Sequence, residues 1–318
     1  MSALETLAAA LERDCPGRVR RGVPLAPLTT FRLGGPAAIM LRPEHTDDLA
    51  AAAAALAGAG GEVPVLIIGR GSNMLIGDGG WPGLAINLGA AFRGITRDGD
   101  ELEAGAATPM PGLASRSAAE SLGGLAFAVA IPGSVGGGVR MNAGAHGTEV
   151  ADRLVWAETV RLTGDEAGHP VRLPTASLGL SYRRSALPPL TVVTRARFAL
   201  VPAPEAEVRE EIAEARRWRR DHQPVNEPNC GSVFANPDSM AAGKAVETLG
   251  LKGTAHGGAR FSRVHANFIT AGEGASAADV LALIRLAQAQ ARDRLGLELR
   301  TEVQIVGDFG PAPVGVAS

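Results

Sequence analysis

Tyrosine occurs once in this 318-residue chain, at Tyr182, and all aromatic residues together make up 4%. A core so poor in rings must be built from aliphatic side chains. Cysteine occurs twice, at Cys15 and Cys230, far apart and in no CxxC or CxH pattern. That argues against a disulfide framework and a zinc cluster, and no metal site is expected. Neither sign of charge dominates: 31 basic residues face 33 acidic ones, for a formal net charge of −2. A nucleic-acid partner would call for a basic excess or patch, so none is expected. No apolar run approaches about 18 residues, and no membrane span is expected. The opening stretch MSALETLAAALERDC lacks the basic start and apolar core of a signal peptide. It reads as a short amphipathic helix, and the expected location is the cytoplasm.

What is there begins with ordinary globular composition, 46% hydrophobic and 20% charged, at a length that suits two or three domains. Glycine is concentrated in Ile131 to Gly147, IPGSVGGGVRMNAGAHG, where six of seventeen residues are glycine and none is acidic. Such a run supplies no side chains for a core, and suits a place where backbone must approach something bulky and electron-rich. A solvated linker would not need Ile131, Pro132, Val135, Val139 and Met141 between the glycines. The ligand implied is a large cofactor.

A second small-residue loop, Gly69 to Asn73, follows the buried strand Val63 to Gly69, an order that suits anion binding by free N–H groups. It is not a dinucleotide fingerprint, because Met74 stands where the third glycine should be and a strand follows where a helix should. No GxxxxGK[ST] occurs, and Gly133 to Gly138 runs on into Val139-Arg140 without the lysine and hydroxyl of a P-loop.

Along the chain, Val23 to Pro43 reads as two short strands around Gly34-Gly35-Pro36. Thr46 and Asp47 suit the N-cap of a helix over 48–57 that stops at Gly58. One helix is expected near 112–121, a hairpin over 153–173 with its turn at Gly164-Asp165-Glu166, and a half-exposed strand over 191–200. A solvated helix follows over 205–220, ending in Arg216, Arg217, Arg219 and Arg220, which suit a helix C-terminus. The proline-broken stretch 221–232 marks a domain boundary. Beyond it come a short helix over 240–249, a helix over 277–294 with Ser276 and Asp279 at capping-box spacing, and a last strand over 297–307. The tail after Gly307 is expected to fray.

Three further stretches carry reactive residue types. Ser181-Tyr182-Arg183-Arg184-Ser185 reads as strand, which would point Tyr182 and Arg183 to opposite faces. Asn229 to Pro237, NCGSVFANP, frees a serine hydroxyl after a glycine. No histidine–carboxylate pair marks that serine as a nucleophile. Glu302 sits beside the apolar run VQIV, either at a solvent edge or buried for a purpose.

Singly these motifs are common; their combination and order are not. TTFRLGG (Thr29 to Gly35), GRGSNML (Gly69 to Leu75), IPGSVGGGVRMNAGAHG, SYRRS, GSVFANP, GLKGTAHGGARFSRVHANFI (Gly250 to Ile269) and RTEVQIVG span about residues 24 to 307. In this order they resemble the MurB family, the UDP-N-acetylenolpyruvoylglucosamine reductases of cell-wall synthesis. The resemblance implies an α+β fold: a two-part FAD-binding domain of the vanillyl-alcohol-oxidase/PCMH type and a smaller α/β substrate domain. The implied boundaries are 1–83 and 84–223 for the two FAD-binding parts and 224–302 for the substrate domain, with 303–318 returning to the first part.

The resemblance also implies a two-electron flavin reaction, in which NADPH reduces non-covalent FAD and the enolpyruvyl ether of UDP-N-acetylglucosamine is then reduced to UDP-N-acetylmuramate. Arg183 matches the arginine that stabilises negative charge on the substrate carboxylate. Glu302 matches the glutamate flanking it, which must be protonated to help rather than repel. Ser232 matches the proton donor, a very weak acid that only a strongly basic carbanion can use. Tyr182 and Asn236 match sugar-nucleotide contacts. The FAD bed is implied at Gly69, Gly71, Ser72, Asn73, Ile131, Gly133, Ser134, Gly136, Gly137, Asn142, Ala143 and Gly144.

Part of the family closes an inserted tyrosine loop over the nucleotide. Tyr182 is already assigned, so this chain matches the shorter subtype, with arginines of the 216–220 cluster expected over the diphosphate. Ala235 and Gln304 stand where basic residues are frequent, and the lysine-like position falls near His222. A small-molecule substrate and a monomer are expected. Two alternatives stay open: an FAD-dependent alcohol or sugar oxidase of the same fold, and a nucleotide-sugar binder without activity. Arg140 has no account in the sequence.

Overall fold

The computed structural model describes residues 2–310. Residues 311–318, part of the stretch expected to return as a strand and then fray, lie outside the described residues. The chain divides into two compact units. One comprises Met1–Arg21, Ile39–Arg70 and Gly83–Arg219; the other comprises Gly22–Ala38, Gly71–Pro82 and Arg220–Ser318. Residues 22–38 and 71–82 therefore belong with the C-terminal third, although the sequence groups them with 1–83.

The first unit opens with α1 (Ala3–Asp14), whose N-cap Ser2 accepts the Glu5 N–H at 3.2 Å. Its face of Leu7, Ala8 and Leu11 is buried in one core with Leu49, Ala52 and Ala55 of α2 (Thr46–Ala57). The N-cap of α2 is His45, one residue before the expected Thr46. Asp48, at the third helical position, accepts the N–H groups of His45 at 2.9 Å and Glu44 at 2.8 Å and so fixes the start. Strand Val65–Ile67 lies parallel to Trp81–Ile86 in a four-stranded sheet completed by Pro36–Leu41 and Val19–Pro24. The expected first strand is thus displaced toward the N-terminus, and Ala26–Leu28 forms a 3-10 turn with Pro27 as its second residue.

A five-stranded antiparallel sheet runs in the order Pro170–Pro174, Leu154–Arg161, Thr191–Ala199, Glu101–Gly105, Ile95–Asp98. Thr191–Ala199, expected half-exposed, lies second from neither edge but centrally, and its first four residues are all buried. Ala196 and Phe198 share a core with Leu113 and Ala118 of α3 (Met110–Ala119) and with Val135 and Val139 of α4 (Val135–Arg140). The short helix α4 lies inside the glycine block, where the sequence suggested no regular element. α5 (Glu205–His222) buries Val208, Ile212 and Ala215 and runs two residues past its expected end.

The second unit packs α6 (Ala242–Thr248) and α7 (Ala277–Leu295) with a three-stranded antiparallel sheet of Ala255–His256, Ala259–Phe261 and Ile269–Ala271. Its core joins Phe31, Leu75, Phe234, Val246, Phe261, Ile269, Val280 and Ile284. The Ser276–Asp279 capping box is present as the spacing predicts, and Asp78 accepts the N–H groups of Ala277 at 2.8 Å and Ala278 at 3.0 Å. Regular strand near the C-terminus is shorter than expected, only Gln304–Val306, and pairs parallel with Met74–Ile76. Among the described residues no helix is long and apolar enough to cross a membrane, and no group of three His, Cys, Asp or Glu could hold a metal ion. Cys15 and Cys230 are free and buried.

Candidate active site

In the first unit the glycine block is sewn to the turn after strand 101–105. Gly136 N–H donates to Ala106 O and Val135 N–H to Thr108 O, both at 2.9 Å, while Gly133 O accepts Met110 N–H at 3.0 Å. Buried Ser134 caps α4 by accepting the Gly137 N–H at 3.4 Å. The three consecutive glycines have different causes. A Cβ on Gly136 would stand 3.0 Å from that of Ala106, and one on Gly138 would stand 3.1 Å from Met110 Sδ. Those two are glycine because α4 packs so closely. A Cβ on Gly137 would meet only Ser134 Oγ, at 3.6 Å, and the residue is exposed. Nothing in this unit's packing requires glycine there.

Gly69 ends its strand against the same block, where an added Cβ would stand 2.6 Å from Ser134 Oγ. Arg70 Nε donates to Pro132 O at 2.9 Å, and Asn87 Nδ2 holds the carbonyls of Ile68 and Gly69 at 2.8 and 2.9 Å. Ile131 packs against the main core of this unit. Ala143 N–H donates to Gly138 O at 2.8 Å, and Gly144 pairs with Glu149.

Asn142 is fully buried with φ of 41°, a conformation asparagine tolerates better than most residues. Its Nδ2 donates to Ser181 O at 3.2 Å and its Oδ1 accepts Ala151 N–H at 2.9 Å. That bond ties the block to the segment carrying Tyr182 and Arg183. The segment is a tight turn rather than the expected strand: Ser181 and Arg184 exchange both main-chain bonds at 3.0 Å, and Arg183 has φ of 55°. The turn brings together two side chains that a strand would separate, and the Arg183 guanidinium lies 4.9 Å from the Tyr182 ring centroid. Arg183 Nη2 also donates to Gly144 O at 3.0 Å. Tyr182 is 56% exposed.

Arg140 is a residue the sequence left unassigned. Its Nη1 donates to Leu187 O at 3.0 Å and Pro188 O at 2.9 Å, and its carbonyl accepts Ser185 Oγ–H at 2.8 Å. Burial lowers its guanidinium pKa. The one signal for it in the sequence was a cation placed among glycines with no acidic neighbour. Of the arginines near the end of α5, Arg217 pairs with Glu210 at 2.7 Å, and burial lowers the pKa of Arg219.

The second unit holds Gly71, Ser72, Asn73, Ser232, Asn236 and Glu302. Gly71 has φ of 55°, and a Cβ there would stand 2.3 Å from Leu28 O, so only glycine fits. Ser72 and Asn73 are half-buried, and Asn73 Nδ2 donates to Glu302 O at 3.1 Å. Half-buried Ser232 follows Gly231, whose φ is 81°. The segment after it is joined to the one bearing Glu302: Glu302 N–H donates to Val233 O at 2.8 Å, and Ala235 N–H to Arg300 O at 3.0 Å. Ser232 and Glu302 are therefore brought onto neighbouring segments. Exposed Asn236 accepts the Ala242 N–H at 3.0 Å at the start of α6. Burial pushes the Cys230 thiol well above its ordinary pKa, which leaves it a poor nucleophile.

Two family models match this chain: an FAD-binding domain over residues 37–166, and the UDP-N-acetylenolpyruvoylglucosamine reductase C-terminal domain over 223–306. A UDP-N-acetylenolpyruvoylglucosamine reductase of Anaeromyxobacter sp. (strain Fw109-5) is 42% identical over 301 residues, 95% of this chain and 92% of that relative. The chain belongs to the UDP-N-acetylenolpyruvoylglucosamine reductase family. The like-named protein of Rubrobacter xylanophilus is 43% identical over 287 residues, 90% of this chain and 94% of its own. The crystal structure of the family member from Thermus caldophilus matches with a TM-score of 0.77 at 36% identity, covering 91% of this chain and 98% of that one.

The residues present suit FAD. Neither 69–77 nor 131–147 contains a carboxylate that would repel a pyrophosphate. Gly137 leaves a face of α4 without a side chain that its own packing does not require.

Proposed function

We propose that this chain reduces the enolpyruvyl ether of UDP-N-acetylglucosamine to UDP-N-acetylmuramate, a step of peptidoglycan precursor synthesis, with NADPH as electron donor. The observation that carries this reading is the presence in one chain of both matches, the FAD-binding domain over 37–166 and the reductase C-terminal domain over 223–306. An alcohol or sugar oxidase of the same cofactor fold has no need of the second.

The loop 69–73 and the glycine block 131–144 are proposed to hold FAD, which would supply two electrons, drawn from the reduced nicotinamide, as hydride to the methylene carbon of the enolpyruvyl group. The charge so developed spreads toward a carboxylate that is already negative. Arg183 is proposed to neutralise it: a guanidinium held by Gly144 O and the Tyr182 ring is oriented in advance, which is where electrostatic stabilisation gains most. Glu302 is proposed to flank the same carboxylate. Ser232 is proposed to give its hydroxyl proton to the adjacent carbon. A hydroxyl is a weak acid, so that transfer works only if the hydroxyl is held against the carbon as the charge appears. Tyr182 and Asn236 are proposed to meet the sugar nucleotide, with arginines near the end of α5 on its diphosphate.

Purified protein is expected to be yellow, to bleach anaerobically with NADPH, and to regain colour on addition of the enolpyruvyl substrate. Protein that bleaches with a sugar or phenolic alcohol and ignores NADPH would instead be an oxidase. Colourless protein that cannot be reconstituted with FAD would overturn both readings.

A further inference from the structure

Asn267 is 3% exposed, and a buried amide must find partners for both its donor and its acceptor. Both partners belong to one residue, Phe234. Asn267 Nδ2 donates to Phe234 O at 2.8 Å, and Asn267 Oδ1 accepts Phe234 N–H at 3.0 Å. The main-chain carbonyl of Asn267 accepts the neighbouring Val233 N–H at 2.8 Å. The side-chain amide thus does for Phe234 what an antiparallel strand does for a hydrogen-bonded residue pair, accepting its N–H and donating to its C=O. On the other side the same segment meets residues 300–303 through Val233 O and Ala235 N–H. Asn267 is itself anchored, since its N–H donates to His265 Nδ1 at 3.1 Å.

We infer that Asn267 is a positioning residue for Ser232: it clamps the two residues that follow the serine and so fixes where the hydroxyl points. The inference rests on the reading of Ser232 as the proton donor. Other side chains do this poorly. Aspartate keeps the acceptor for Phe234 N–H but sets an oxygen against Phe234 O. Leucine offers neither group, and glutamine is one methylene too long.

The test uses the FAD-loaded enzyme and separates the two half-reactions by stopped flow. Asn267→Asp is expected to bleach with NADPH within twofold of the parent rate, and to slow reoxidation by the enolpyruvyl substrate at least tenfold. Hydrogen exchange in a peptide covering 231–236 is expected to accelerate while the flavin content stays the same. Because Asn267 is proposed to act through Ser232, Ser232→Ala/Asn267→Asp should reoxidise no more than twofold slower than Ser232→Ala alone. Asn267→Leu removes both bonds and, if it retains flavin, should be slower than Asn267→Asp; if it does not fold, Asn267→Asp carries the test. Multiplicative slowing in the double variant, or equal slowing of both half-reactions, would reduce Asn267 to a general structural residue and overturn the inference. Normal reoxidation by Asn267→Asp beside slow Ser232→Ala overturns the inference alone. Normal reoxidation by Ser232→Ala overturns the reading of Ser232 itself.

Discussion

Asn73 binds the segment carrying Glu302 at two points: its Nδ2 donates to the Glu302 carbonyl at 3.1 Å, and its own carbonyl accepts the Gln304 N–H at 3.0 Å. The parallel pairing of Gln304 with Met74 continues the same contact. Asn73 lies in a loop whose sequence suggested pyrophosphate binding, and its amide donates to the segment that carries the glutamate. Asn142 does the same for Ser181, beside Tyr182 and Arg183. In both places an asparagine from a glycine-rich motif, half-buried at Asn73 and fully buried at Asn142, fixes main chain next to a candidate reactive residue, and main chain fixed by an amide shielded from water resists displacement.

Asn73→Ala is accordingly expected to retain flavin and to lower the rate of reoxidation by the enolpyruvyl substrate about tenfold. Flavin content by absorbance and single-turnover reoxidation measure the two effects separately. Loss of colour with an unchanged reoxidation rate in the flavin-bearing fraction would place Asn73 in the cofactor site instead.

The elements legible from the sequence were those with a local cause. Ser276 and Asp279 announced α7 because a capping box is written in four residues, and Gly58 ended α2 where expected. The turn at 181–184 was not legible. Paired main-chain bonds between Ser181 and Arg184 close it, Asn142, 39 positions earlier, ties it down, and SYRRS has no glycine or proline to signal it. The helix α4 was missed for the opposite reason, since local propensity argues against three glycines in a helix. Its packing distances to Ala106 and Met110 override that propensity. The candidate residues themselves were visible only as motifs in order. Which of them lie on paired neighbouring segments, as Ser232 and Glu302 do, depends on bonds between stretches about 70 residues apart.

Arg140 binds the far end of the loop that carries Arg183. Arg140→Met removes the donors to Leu187 O and Pro188 O and frees residues 187–188, while the Ser185 bond to the residue 140 carbonyl stays. Loss of such bonds costs about 1–3 kcal/mol of stability. The expected functional result is a KM for the enolpyruvyl substrate raised about tenfold, with little change in the rate of bleaching by NADPH. Steady-state kinetics, together with urea denaturation, test this; a variant whose two half-reactions slow equally would show that Arg140 supports the cofactor bed rather than the loop.

Asp48 makes the folding of the first unit sensitive to acid. Burial works to raise its carboxyl pKa, but the N–H groups of His45 and Glu44 and the Arg18 guanidinium outweigh burial, and the native pKa lies below its ordinary value. An unfolded aspartate titrates near about 3.9. The stabilisation is therefore fully present above that pH and is lost as pH falls through the lower native value. Asp48→Asn should be clearly less stable than the parent at pH 7, and the gap between their urea midpoints should narrow once pH drops below about 4. A gap that stayed constant down to pH 3 would mean that the carboxylate charge contributes nothing.

Gly137 separates a glycine kept for the fold from one kept for a ligand. Alanine is better than glycine in a helix by about 1 kcal/mol, because glycine has more backbone freedom to lose. At Gly136 that gain is opposed by Ala106, whose Cβ would stand only 3.0 Å away, so Gly136→Ala should destabilise the protein with or without flavin. At Gly137 the nearest atom is Ser134 Oγ at 3.6 Å, an ordinary contact. Gly137→Ala should therefore raise the melting temperature of flavin-free protein by a few degrees while weakening FAD binding at least tenfold, because the new methyl group occupies the face of α4 that the bare helix leaves clear. Melting curves of flavin-free protein and FAD titration followed by fluorescence read the two effects independently. A Gly137→Ala protein that is more stable and binds FAD as before would mean that the exposed face of α4 is not part of the cofactor bed.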